Sequence, residues 1–542
     1  MKKLIAILMA MAMVLALAAC TPDEGNGSTA GTTTGAAVDP NAVMNCICGA
    51  NEGEDHIGEC TGEEVAWTAW SETTLPDKSG YYYAAHEGDE VTLDYTDYTM
   101  FVSEDGSARD IVIDLNGKTF VGPGDLMVTL DGIMNLTITD SSAEHKGAIK
   151  ADDSLTSSST HALIYAKNDG DLETSNSVSV YRATVDASAV KNSSTPGSAI
   201  SVEASNTLNM YNATVLGGGV SSGNGGAIAN DGTANLYDTV VYGAETIKSE
   251  DDGGANNTGL GGAIHTSGDL NLVDCTIYGA PAGRGGAVNV AGGTTTMAGG
   301  IIYGADVTNA ACAVNMKSLS EVVEAHFIMK ASDKGEPVID CSGKTSGNFG
   351  GAFNIDGYNT LTQLTMECGE IIGGTAAGAG AGGCVIVQDT MNDGKDGKGV
   401  FVMNGGTLTS GISSKADGNG GANIRITKGG VVKLNGGVIT AGKDSSGNNA
   451  GGIKVENTAH SLIIGGTAQI TGNEGNDIFL ASGKTFTVKA DWAGNGEKAL
   501  VVGMADGTGA FAAAAEGETL TEAMAAFFAG NVKLADNALA LQ

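Results

Sequence analysis

Gly225-Gly226-Ala227-Ile228 is the stretch that decides the fold, because the phrase keeps returning along the chain. It recurs as Gly261-Gly262-Ala263-Ile264, Gly285-Gly286-Ala287-Val288, Gly350-Gly351-Ala352-Phe353, Gly382-Gly383-Cys384-Val385 and Gly420-Gly421-Ala422. A second signature follows most copies: Leu236-Tyr237-Asp238, Leu272-Val273-Asp274, Met403-Asn404-Gly405 and Leu434-Asn435-Gly436. The period is irregular, roughly 24 to 40 residues, which marks stacked coils rather than a globular domain. Each unit combines glycines with β-branched runs and has almost no stretch long enough for two helices. Strand–turn–strand coils piled on one another satisfy this pattern. The chain is therefore expected to be all-β, a parallel β-helix solenoid.

Composition agrees and narrows the partners. The 542 residues include 83 glycines but only 7 prolines, the balance of tight corners rather than of disorder. With 28 basic against 63 acidic residues the formal charge is −35. No nucleic-acid partner is expected, since phosphate binding needs a basic face. Polyuronates meet repulsion unless cations bridge them, and only 4 arginines are present to clamp a carboxylate. The simplest role of the charge is to keep a long exposed surface soluble.

Lys2 and Lys3 precede an apolar run over residues 4–19 that ends at Cys20. Such a run reads as a secretory signal and is short for a membrane span. Residues 21–44 form a Gly-, Thr- and Ser-rich tether. Cys46, Cys48, His56 and Cys60 then fall within a Gly-rich segment, 45–62, spaced C-x-C-x7-H-x3-C. Four such ligands within about fifteen residues suit tetrahedral zinc. In an exported protein a Cys48–Cys60 disulfide with His56 as bystander is the alternative. Either bond staples a segment too small for its own core. Residues 63–490 are assigned to the β-helix and its N-terminal cap, and 491–542 to a C-terminal cap. Trp67, Trp70 and the run Tyr81-Tyr82-Tyr83 are expected to cover the open first coil. Residues 520–528 have helix-forming character, with Thr519 as N-cap.

Two resemblances attach to these motifs. Leu17-Ala18-Ala19-Cys20 resembles the bacterial lipobox, which implies a diacylated Cys20 and anchoring at the extracellular face of a membrane. The order of Cys/His knuckle, Trp67-x-x-Trp70, Asp114-Leu115-Asn116-Gly117-Lys118 and Leu136-Thr137-Ile138-Thr139-Asp140 resembles bacterial surface proteins with a pectin-lyase-like β-helix. The Gly-Gly-Ala phrase is also similar to repeats of polymorphic outer-membrane adhesins. These resemblances imply a right-handed parallel β-helix and a surface location. Enzymes of the pectin-lyase-like class carry Asp and Arg clusters in their coils, whereas here Arg425-Ile426-Thr427 is a lone fragment.

Three features within the coils are candidate sites. Tyr242, Tyr278 and Tyr303 occupy one position in successive repeats, and alternation with Val241, Ile277 and Ile302 points them outward. A row of aromatic faces about 5 Å apart is expected either to hold a glycan chain or only to stack on itself. Asp238 and Asp274 are equivalent in adjacent coils. Such a pair suits calcium, or the nucleophile and acid of a retaining glycosidase. The run Gly472 to Leu480 resembles one copy of a calcium nonapeptide with Asn473 replacing its second glycine. Aligned corners place Ala183, Ala213, Thr239, Cys275, Gly299, Cys368, Gly405 and Gly436 at one small-residue position. Cys312 and Cys384 each replace the alanine of the repeated phrase, two coils apart and so beyond disulfide reach. The expected function is that of an adhesin or glycan-binding surface protein without catalysis. A polysaccharide lyase or glycoside hydrolase is the alternative, and a plain spacer a third.

Overall fold

The computed structural model describes residues 43–542 except 95–98, 102–106, 123–127, 132, 154–161, 168–174, 191–196, 221–223, 247–258, 379–381, 392–396, 415–419 and 446–449. The apolar run, Cys20 and nearly all of the 21–44 segment lie outside the described residues. From Val43 onward the chain forms three long sheets of 19, 13 and 14 strands and a narrower one of 6. Strands visit the faces in rotation. Thr233–Tyr237 lies on the first face, Val240–Tyr242 on the second and Ile264–Thr266 on the third, and then Asp269–Val273 returns to the first beside Thr233–Tyr237. Among the described residues, strands on the same face of successive coils pair in parallel, so this part of the chain is a parallel β-helix.

Alternation builds the core. On the first face Val178, Leu208, Ala234 and Leu270 share one register position, and Val180, Met210, Leu236 and Leu272 another, all buried. Each apolar side chain thus rests on its counterpart one rung below, and truncating a Leu to Ala there would cost about 2–5 kcal/mol. The polar residues between them form ladders on the outer side: Asn271 donates to Asn235 at 2.8 Å and Asn235 to Asn209 at 3.0 Å.

The repeated phrase is a corner between the fourth and third faces. Gly225, Gly261, Gly285 and Gly350 hold φ between +55° and +75°, a left-handed conformation that favours glycine. The second glycine faces the neighbouring rung: a Cβ on Gly226 would meet the Gly262 carbonyl oxygen at 2.2 Å. Here the structure corrects the alignment of Cys312. Ala313, not Cys312, pairs with Ala352 and Ala287, so Cys312 stands in the second-glycine place and Ala311, at φ +60°, in the first. Cys384 does replace the alanine. Both cysteines are buried, free thiols.

The small-residue corner is corrected in the same way. Strand register aligns Thr276, Ile301, Glu370, Thr407 and Val438, so Cys275 is matched by Gly300, Gly369, Gly406 and Gly437. Gly299, Cys368, Gly405 and Gly436 instead match Asp274. Sequence alignment slipped by one because the left-handed residue moves along the corner, from Asp238 and Asp274 in early rungs to Gly369, Gly406 and Gly437 in later ones. Cys275 is accordingly buried and Cys368 only half-buried.

Both ends are closed. Val43–Asn45 pairs antiparallel with Val65–Trp70, the first rung of the first face. Trp67 and Trp70 are buried, and Trp70 stacks on Phe120 at 4.8 Å. The two motif aspartates are buried corner caps: Asp114 accepts from the Asn116 and Ser141 amides, and Asp140 from the Gly117 and Ser142 amides. At the other end parallel pairing continues past residue 490, through Val502–Met504 and Gly509–Ala514. The hairpin Val532–Ala535 and Ala538–Leu541 then pairs antiparallel on that last strand. The helical piece is a short 3-10 turn, Glu522–Phe527, with Thr521 rather than Thr519 at its N-cap.

Candidate metal centre and the cleft beside it

The segment holding Cys46, Cys48, His56 and Cys60 is short of apolar residues and folds by lying on the first face. Cys46, Cys48 and Ala50 pack against Tyr181, with Ile57, Cys60 and Tyr211 around them. Polar contacts pin the other edge: Glu54 meets His145 Nε2 at 3.0 Å and Arg182 Nε at 3.4 Å, and Arg182 Nη2 donates to the Asp55 carbonyl at 2.7 Å. Hydrogen bonds from the Asn51 amide and His145, with the Arg182 charge, hold the Glu54 carboxyl below its ordinary range.

The docking brings all four predicted ligands together. Their donor atoms lie within 4.8 Å of one another. Cys46 Sγ is 3.5 Å from Cys48 Sγ, and His56 Nδ1 is 3.6 Å from Cys48 Sγ and 3.8 Å from Cys60 Sγ. The edges of a zinc tetrahedron with Zn–S near 2.3 Å and Zn–N near 2.0 Å are about 3.5 to 3.8 Å long. The donor set and its spacing fit a four-coordinate metal ion such as zinc. All three cysteines are free thiols.

Beside this centre lies a cleft of about 680 Å³. Ile57, Gly58 and Glu59, the tripeptide between two of the ligands, form one wall. Tyr211 and Tyr237 make the floor, and Asp238 and Lys334 the opposite rim. Tyr181, Tyr211 and Tyr237 stack in register with centroids 4.8 and 5.0 Å apart. Gly58 sits against this ladder so closely that a Cβ would come within 2.8 Å of both Tyr181 and Tyr211. Sequence reasoning missed this ladder although its signal was present, since Val180-Tyr181, Met210-Tyr211 and Leu236-Tyr237 recur like the second-face tyrosines. Lys334 could not have been found, because it arrives from an insertion 96 residues beyond Asp238.

The Asp238–Asp274 pair is real as a pair of adjacent left-handed corners, but its carboxylates are engaged. Lys334 forms an ion pair with Asp238, and Ser332 Oγ donates to Asp274. The same loop supplies a partner to each acid, so the arrangement gives no support to calcium there. Asp477 likewise accepts from the Val501 amide and Asn473 at 3.1 Å each, as a corner residue.

Tyr242, Tyr278 and Tyr303 stand on the second face in register, with Tyr242 and Tyr278 42 % and 37 % exposed. Centroids lie 4.8 and 5.0 Å apart and ring planes differ by 7° and 10°. Rings this close and parallel must overlap, so their faces are turned on one another and not outward. The expected row of faces is a row of edges and hydroxyls. Comparison with protein-family models, with curated proteins and with solved structures finds no match to this chain.

Proposed function

We propose that the chain is a lipid-anchored, cell-surface β-helix protein that holds glycan along its flank without cleaving it. The reading is carried by the exposed tyrosine ladder. Its hydroxyls and ring edges repeat every 4.8 to 5.0 Å, close to the repeat of an extended β-linked pyranose chain. Anchoring through Cys20 rests on the lipobox-like ending of the apolar run. The metal at the Cys/His centre is zinc in this reading, with a structural role, since four protein ligands leave no open position for chemistry.

One observation favours an enzyme: Glu59, Asp238 and Lys334 reach the same cleft from three separate parts of the chain. Against it, the hydrogen bond from Lys334 to Asp238 raises the lysine pKa and keeps it protonated, which is wrong for a general base near neutrality. Incubating the secreted part of the chain with a panel of immobilised glycans separates the readings. Retention without new chain ends is the expected result. New reducing or unsaturated ends would mean an enzyme, and neither outcome would leave a spacer. Replacing Tyr242, Tyr278 and Tyr303 together by Ala is expected to abolish retention of long glycans.

A further inference from the structure

We propose that the cleft between the Cys/His module and the first face binds a single neutral sugar residue, and that the metal centre shapes this site. The inference rests on the glycan reading above and gives it a second, distinct location. Volume comes first: about 680 Å³ lies within the span of small-ligand sites. The lining then selects the ligand. Tyr211 lies stacked between Tyr181 and Tyr237, so the tyrosines line the cleft with ring edges, the apolar part of its surface, while Asn212 and the carboxylates of Glu59 and Asp238 are hydrogen-bond partners for the hydroxyls of a pyranose. Asp238 is already neutralised by Lys334, which leaves Glu59 as the unbalanced charge and makes the cleft unfavourable for an anionic sugar.

The metal enters through the chain itself. The wall Ile57-Gly58-Glu59 runs directly from the ligand His56 to the ligand Cys60. An ion shared by those side chains would tie the two ends of the wall to one point. Its middle is set by Gly58, whose backbone rests on the Tyr181 and Tyr211 rings. The Glu54 and Arg182 contacts and the packing on Tyr181 and Tyr211 seat the module on the face. With the ion bound, the wall is pre-organised at the position that closes the cleft.

The test uses the full chain, zinc-loaded or treated with a chelator, and three soluble probes: cellotriose, mannotriose and the trimer of N-acetylglucosamine. Binding is measured by calorimetry, with zinc content recorded for every sample. At least one trimer is expected to bind the zinc-loaded chain. Tyr237→Ala and Lys334→Met, both outside the metal centre, are expected to weaken it roughly tenfold or more, as is chelation. Gly58→Ala should do the same with zinc content intact, because its Cβ lifts the wall off the tyrosines. Binding that survives Tyr237→Ala and Gly58→Ala, or that ignores chelation, overturns the inference while leaving flank binding standing. Loss of long-glycan retention in the Tyr242, Tyr278 and Tyr303 triple variant with trimer binding unchanged separates the two sites. If no glycan of either kind binds, both readings fall.

Discussion

Cys48 and His56 sit 3.6 Å apart, at an edge length suited to a shared ion. Cys48→Ser is expected to cut zinc affinity by about 10-fold or more and to expose residues 46–60 to protease, measured as bound zinc after dialysis and as cleavage of the full chain. A chelator should reproduce the cleavage without any reductant, whereas sensitivity to reductant alone would show a disulfide. The coil cysteines make a separate test of register. Burial pushes the thiols of Cys275 and Cys384 up to about 12, and Cys341 is driven upward too by burial and by Cys312 beside it. A thiol reagent at neutral pH should therefore reach Cys368 in the folded chain and leave Cys275, Cys312, Cys341 and Cys384 untouched until denaturation. Labelling followed by peptide mapping checks this. Equal protection of Cys275 and Cys368 would restore the alignment that put them at one position.

Ladders are the elements that couple one rung to the next. On the third face Gln388 donates to Asn354, Asn354 to Asn315, Asn315 to Asn289 and Asn289 to His265 Nδ1, over 2.6 to 2.9 Å. All these bonds point one way, and the last needs a neutral imidazole whose Nδ1 is free to accept. Burial lowers the His265 pKa to about 4, against a weaker opposing effect of Asp231. The unfolded chain, titrating near 6.5, binds a proton that the folded chain refuses between these values. Stability is thus complete above about pH 6.5 and falls as pH drops toward 4, by roughly 3 kcal/mol at most. His265→Asn, which extends the ladder, is expected to flatten that part of the denaturation midpoint plotted against pH. The tyrosine ladder has a simpler consequence. Tyr278 stacks on both neighbours, so Tyr278→Ala should cost about 1–3 kcal/mol from two lost ring pairs, measured by chemical denaturation.

Across the described rungs the buried apolar residues stack into one continuous column, and its stability accumulates rung by rung. Such a column is vulnerable at its ends, where a parallel edge is open to pairing with another chain. The antiparallel hairpin over Gly509–Ala514 and the cluster of Phe486, Trp492, Phe511 and Phe528 close one end. Deleting residues 515–542 is expected to produce concentration-dependent aggregates, read by light scattering, while the N-terminal rungs keep their far-ultraviolet strand signal. An unchanged monomer would mean that the hairpin is not what protects the edge.

Periodicity alone was enough for the column, because a parallel β-helix repeats its local chemistry: alternating apolar residues make inward stacks, and a left-handed corner makes a glycine, at every turn of the chain. The four ligands of the metal centre were legible for a related reason, since they lie within one short segment. What required the folded molecule were the relations that cross rungs. Only packing could show that Gly58 rests on Tyr181 and Tyr211, that Lys334 comes back to Asp238, or that stacked tyrosines spend their faces on each other. Each depends on which residues the register brings level, and a single-residue shift in where a corner turns left-handed is invisible in the chain but moves Cys368 out of the buried position that Cys275 holds.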